Sequence, residues 1–178
     1  MKIEKSSLGL WLGSFAKISA ILLLVMNAVF WFHPDLARQV AESYSGVDAS
    51  LFTLTVNNQI LGWLISSLQL SVLSFALFTI AGIFEDFGKG LWFVARFSYK
   101  LKLFGGSLLL FSLLAPVVQA LTSLALTYAN PEGERMFVVS FTINLQGLII
   151  LFVGILLLLM GRVMDKAIQI SDENKEII

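Results

Sequence analysis

The 178-residue chain has no cysteine, one histidine and three prolines, and only 13% of its residues are charged. Without cysteine there is no disulfide, no thiolate nucleophile and no thiol-ligated metal. The single histidine, His33, has Asp35 nearby, but a stable metal site wants several ligands. His33 therefore reads as an interfacial residue at a helix end, and neither a metal nor any other cofactor is expected. Net charge is zero and the basic residues form no patch on a soluble domain, so a nucleic-acid partner is not expected. The familiar catalytic signatures are also missing: no H-E-x-x-H, no G-x-S-x-G and no nucleotide-binding glycine loop. Serine and threonine are plentiful, but no intramembrane His or Lys is placed to activate one, apart from Lys17 at an edge. An enzyme is not expected.

What the chain has instead is apolar length. It is 57% hydrophobic, where a soluble domain is about 45–50% apolar and about 25% charged. No Asp, Glu, Lys or Arg occurs between Lys17 and Asp35, Asp48 and Glu85, Lys102 and Glu132, or Arg135 and Arg162. A membrane-spanning helix needs about 20 predominantly apolar residues. These windows predict an all-α, four-helix membrane bundle in a single domain. The helices are placed at about 11–32, 60–84, 103–128 and 136–161, with an outer loop 33–59, a cytoplasmic loop 85–102 and a tail 162–178. The first window needs Lys17 inside the helix. Nine strongly apolar residues between Ile18 and Phe32 favour insertion by roughly 3–5 kcal/mol, against about 2.5–3.5 kcal/mol for a central lysine. Near the helix start the lysine stem can snorkel to the headgroups, which lowers that cost.

Lys and Arg are distributed unevenly about these spans. The N-terminal segment, the second loop and the tail carry ten of them, while loops one and three carry Arg38 and Arg135 alone. The positive-inside rule then places both termini in the cytoplasm. In the outer loop, Leu36, Val40 and Tyr44 recur every four residues after Pro34, and Ser45-Gly46 follows. That pattern predicts a short amphipathic helix on the outer surface.

Two segments share a spelling: Thr55-Val56-Asn57-Asn58-Gln59 and Thr142-Ile143-Asn144-Leu145-Gln146. Thr55 lies 30 residues before Glu85, but Thr142 only 20 before Arg162, a mismatch of about 15 Å at helical rise that argues against a duplicated hairpin. A helix-start role suits 55–59, since Thr and Asn can cap a first turn. Asn144 and Gln146 are expected deeper, where amides seek other helices. Their candidate partners are Gln69, Gln119 and Asn27, gathered near the kink that Pro116 should place in the third helix. Gly62-x-x-x-Ser66 and Gly105-Gly106 offer close helix approach. In the loop 85–102, Gly88 and Gly90 should break the second helix. There Trp92, Phe93, Phe97 and Tyr99 alternate with Arg96, Lys100 and Lys102. Aromatic and basic groups together suit the headgroup zone, which makes Trp92, Phe93, Arg96, Phe97, Lys100 and Lys102 candidate lipid or partner contacts.

The pattern Gly82-x-Phe84, Gly90, Phe93, Leu101-x-x-x-Gly105, together with 141–178 ending in Glu173-Asn174-Lys175-Glu176-Ile177-Ile178, resembles a bacterial membrane family catalogued as domain of unknown function 2975. The resemblance covers about 80–178. It implies four spans in a bacterial cytoplasmic (inner) membrane and a gene often found beside a small helix-turn-helix regulator, and it implies no established activity. The expectation is an uncharacterised multi-pass accessory or regulator acting through membrane lipids, a protein partner or a second copy of itself. The alternative is a small transporter or channel subunit using the intramembrane amides. A water-accessible cavity touching at least three of those amides would favour transport.

Overall fold

The structure, a computed structural model, describes residues 7–33, 35–52, 54–91, 95–128, 130–131, 133–138 and 145–176. It is all-α: α1 Ser7–Phe32, α2 Ala37–Ser45, α3 Val56–Gly88, α4 Ala95–Thr127 and α5 Leu145–Glu176, with one 3-10 turn at Ala49–Leu51. Four helices are long and apolar enough to cross a membrane: Ser7–Phe32, Val56–Gly88, Ala95–Thr127 and Leu145–Asn174.

The long helices form a series. α1 packs on α3, α3 on α4 and α4 on α5. Among the described residues no comparable packing closes the series by bringing α5 onto α1. Small residues make these approaches possible. The buried stripe of α1 is Gly9, Gly13, Ala16, Ala20, Asn27 and Trp31, three or four residues apart except for one longer step. A Cβ on Gly9 would lie 2.6 Å from the Phe84 carbonyl oxygen of α3. At the α4–α5 crossing, a Cβ on Gly105 would lie 2.7 Å from the Gly154 carbonyl oxygen, and one on Gly154 would lie 2.9 Å from that of Gly105. Dispersion between close backbones replaces the hydrophobic driving force that helices lack in lipid.

All four long helices run past a sequence-predicted limit at one end or more. α3 and α4 have 33 residues each and α5 has 32, about 50 Å at helical rise, against a hydrocarbon core of about 30 Å. α4 starts at Ala95, not 103, and α5 continues to Glu176, not 161. Most of the stretch taken as loop 85–102 is therefore helix end, and much of the tail is helix. Hydropathy reports where the bilayer would stop, not where the hydrogen-bonded ladder stops. α1 begins at Ser7, so Lys17 stands about three turns inside it. Between α3 and α4, Gly90 takes φ +73°, and the Leu91 N–H donates to the Asp86 carbonyl at 2.9 Å.

At the opposite end of the series, α2 does not lie alone on a surface. It is docked through Ala37, Ala41 and Ser45, all fully buried, against α4, α1 and α3. Gly46 ends it with φ +67°, a left-handed cap open to glycine at little cost. Trp31, Ala41, Val47, Phe52 and Leu126 form the core beneath. α3 starts where Thr55 Oγ1 accepts the Asn58 N–H, and Asn58 Nδ2 donates across to the Leu126 carbonyl at 3.0 Å.

The fourth helix was expected from 136, yet α5 starts at Leu145. Residues 134–138 are not helical. They return along the end of α4, where its hydroxyls hold their backbone. The Met136 N–H donates to Thr127 Oγ1 at 2.9 Å and the Val138 N–H to Ser123 Oγ at 3.0 Å. Apolar residues here therefore did not require a helix, because side chains supply the hydrogen bonds that a helix would.

Candidate functional site

Charged residues on the side where α3 ends and α4 begins form a chain of ion pairs. Glu85 and Asp86 occupy the last turn of α3. Neighbours on a helix point about 100° apart, so Glu85 meets α1 and Asp86 meets α4. Lys17 Nζ lies 2.5 Å from Glu85 Oε1. Lys100 Nζ lies 2.5 Å from Asp86 Oδ2 and donates to the Gly82 carbonyl at 2.8 Å. On α4, Lys100 and Lys102 stand two residues apart and cannot share a face. Lys102 turns instead to α5, 2.6 Å from Asp165 Oδ2. Ser98 Oγ bonds Asp165 Oδ1 and the Gly161 carbonyl, the latter at 2.9 Å. Three lysines and three acids thus join α1 to α3, α3 to α4 and α4 to α5.

The pairs differ in burial. The Asp86 side chain is 3% exposed and that of Lys100 15%, whereas Lys17 is 45% and Glu85 27% exposed. The Asp86–Lys100 pair sits in a low-dielectric setting, where removing one partner is costly. The Lys17–Glu85 pair is partly screened by solvent.

The candidate contact residues thus fall into different places. Lys100 and Lys102 are turned inward onto acids. Phe97 is buried, edge-on to Phe87 with ring centroids 5.1 Å apart. Arg96 is exposed, and so is Tyr99. Trp92, Phe93 and Asn144 lie outside the described residues. Sequence reasoning missed the acids Glu85, Asp86 and Asp165. The signal was available: each lies within one helical turn of a predicted span end, and two lysines two residues apart must face different neighbours.

Among the described residues, the amides expected inside the spans make no hydrogen bonds to one another. Gln69 donates to the Phe111 carbonyl of α4 at 3.2 Å, next to the Ser112 carbonyl that Pro116 leaves without its usual donor. Ser112 Oγ donates to the Gly147 carbonyl of α5 at 3.4 Å. Gln119 packs on Gly46 of the α2 cap, and Gln146 is exposed in the first turn of α5. Asn27 Nδ2 donates to Ser66 Oγ at 3.2 Å and Ser67 Oγ at 3.0 Å, and Ser66 Oγ also accepts Trp31 Nε1–H at 2.9 Å. Each of the bonded amides found a carbonyl or hydroxyl on an adjacent helix, which satisfies it without the shared cluster that the sequence suggested.

A cleft of about 470 Å³ lies between α1 and α2, with Leu70 of α3 at its side. Of the amides named above it touches Asn27 alone. Tyr44, on its wall, stacks on Trp31 with centroids 6.3 Å apart, and burial raises its phenol pKa above the ordinary 10.0. His33 Nδ1 accepts the Asp35 N–H at 3.3 Å. Among the described residues no group of three His, Cys, Asp or Glu could hold a metal ion. No protein-family model matches the chain, and no curated protein or solved structure is significantly similar to it.

Proposed function

We propose that this chain is a non-enzymatic four-span protein of a bacterial cytoplasmic membrane, with both termini inside, acting by contact with lipid or a protein partner. The four long apolar helices support the membrane setting, and the bias of Lys and Arg supports the orientation. The resemblance over 80–178 implies the same membrane setting. The ion-paired end then faces the cytoplasm and α2 caps the outer end.

The observation that carries the contact reading is what remains at the ion-paired end after pairing. Lys17, Lys100 and Lys102 are matched by acids, while Arg96 on α4 and Arg162 and Lys166 on α5 stay exposed. Exposed Tyr99 and Val163 stand near them in sequence. Cations beside apolar and aromatic groups at the membrane edge attract anionic headgroups and acidic partners. The cleft between α1 and α2 touches one of the intramembrane amides rather than three, so it lends the transport reading no support.

The test is the triple variant Arg96→Gln, Arg162→Gln, Lys166→Gln, crosslinked and purified from native membranes. Loss of co-purifying protein or of retained anionic lipid is expected. Unchanged partners together with unchanged lipid would defeat the reading.

A further inference from the structure

The cleft under α2 is not explained by packing. Its walls are two facing helical stripes: Leu23, Met26, Asn27 and Phe30 on α1, and Gln39, Val40, Ser43 and Tyr44 on α2. A volume of about 470 Å³ lies within the usual range for a ligand pocket, about 300–1,000 Å³.

The lining gives the chemistry of the occupant. Among the described residues no Asp, Glu, Lys, Arg or His borders the cleft, so none of them pairs there with a charged group. Asn27, the polar residue of the α1 wall, is 4% exposed and spends its donors on Ser66 and Ser67. Its Oδ1 accepts from Ser66 Oγ, so an occupant of the deep part finds apolar contact and no free donor in Asn27. Gln39 and Ser43, in contrast, are exposed at the α2 side. The α1 stripe runs from Leu23 to Phe30, about 10 Å at helical rise, within the roughly 15 Å of hydrocarbon in one leaflet. The neighbouring face of α1, with Leu22, Val25 and Val29, is exposed and would meet hydrocarbon directly.

We propose that this cleft holds one acyl chain of a zwitterionic phospholipid drawn from the leaflet on the α2 side, its headgroup resting at Gln39 and Ser43. This rests on the membrane-spanning reading but not on the cationic contact face, which lies at the opposite end. The cleft makes the α2 cap a lipid-holding element, and lipid occupancy would stabilise α2 docking by mass action.

The test is native mass spectrometry of the full chain released from detergent, after equilibration with equal amounts of dioleoylphosphatidylcholine and dioleoylphosphatidylglycerol. One phosphatidylcholine per chain should survive delipidation. Two independent substitutions fill the cleft: Ser43→Trp, at an exposed site that tolerates bulk, and Met26→Phe, on the opposite wall. Each should lower the retained fraction at least tenfold. Leu148→Trp, on the exposed face of α5, should not. The proposal is overturned if the two cleft variants keep as much lipid as Leu148→Trp. It is equally overturned if phosphatidylglycerol is held as well as phosphatidylcholine. The triple variant of Arg96, Arg162 and Lys166 should keep its phosphatidylcholine. A failed contact face and a failed cleft are thus read from different variants.

Discussion

Asp86 and Lys100 allow the sharpest test of how the series is held together. Asp86→Asn keeps the shape of the side chain and removes its charge. Lys100, 15% exposed, would retain the Gly82 carbonyl at 2.8 Å and lose its counter-ion. Breaking a buried pair from one side costs about 3–5 kcal/mol, and the surviving carbonyl puts the expectation near the lower end. The double variant Asp86→Leu, Lys100→Met removes both charges and should return to within about 1 kcal/mol of the parent or exceed it, since buried pairs are often matched by apolar replacements. Glu85→Gln is the internal control. Its partner Lys17 is 45% exposed, so solvent screening reduces that pair to about 0–1 kcal/mol. The assay is reversible unfolding of the full chain in mixed micelles by added dodecyl sulfate, followed by circular dichroism. If Asp86→Asn and Glu85→Gln fall within about 1 kcal/mol of each other, burial does not govern the ion-paired end and the ranking is wrong.

Adjacent glycines should respond oppositely in the same assay. Gly105→Ala drives a methyl to 2.7 Å from a backbone oxygen of α5 and should cost about 1–3 kcal/mol, whereas Gly106→Ala meets nothing within 4 Å and should gain up to about 1 kcal/mol of helix propensity. Thr122 Oγ1 is buried without a hydrogen-bond partner; Thr122→Val keeps the shape and should stabilise by about 1 kcal/mol, because an unmet buried hydroxyl costs about 1–3, and a loss of stability would contradict this. Tyr44 should titrate above the ordinary 10.0 because burial disfavours its phenolate. Its folded pKa is raised, so its contribution to α2 docking is intact below pH 10 and lost as pH climbs through the folded value. Phenolate absorbance should show a late step that vanishes in Tyr44→Phe.

Helix number and composition were legible because four charge-free windows leave few alternatives. The capping of α3 by Thr55 and the ending of α2 at Gly46 were also legible, since both rest on local chemistry. Contacts between distant residues were not. Nothing local pairs Asp165 with Lys102, 63 positions away, or Asn27 with Ser66, 39 away. The amides were read as seeking each other because amides are conspicuous in an apolar run. Serine hydroxyls and helix carbonyls are commoner acceptors, and Gln69 took one. Residues 136–138 mislead for the opposite reason. Their apolarity predicts helix, whereas Thr127 and Ser123 accept the Met136 and Val138 N–H groups of a non-helical backbone.

The ion pairs raise a question about orientation, since three of the lysines counted as topological signals end up neutralised. The positive-inside bias acts during insertion, before the helices have packed, and counts Lys and Arg while Asp and Glu contribute little. On the proposed orientation the two roles are separated in time: a lysine first holds its flank on the cytoplasmic side and then finds its acid as α1, α3, α4 and α5 come together. Seven acids lie on the basic-rich side and five on the other, so the net charges still differ, at +3 and −3. Replacing Glu85, Asp86 and Asp165 together by their amides should therefore leave the orientation of reporter fusions at residues 90 and 133 unchanged while lowering stability. Replacing Lys17, Lys100 and Lys102 by Gln lowers the bias from ten against two to seven against two and should also hold, with a minor inverted population. If the acid variant inverts and the lysine variant does not, net charge after pairing, rather than the cations during insertion, sets the topology.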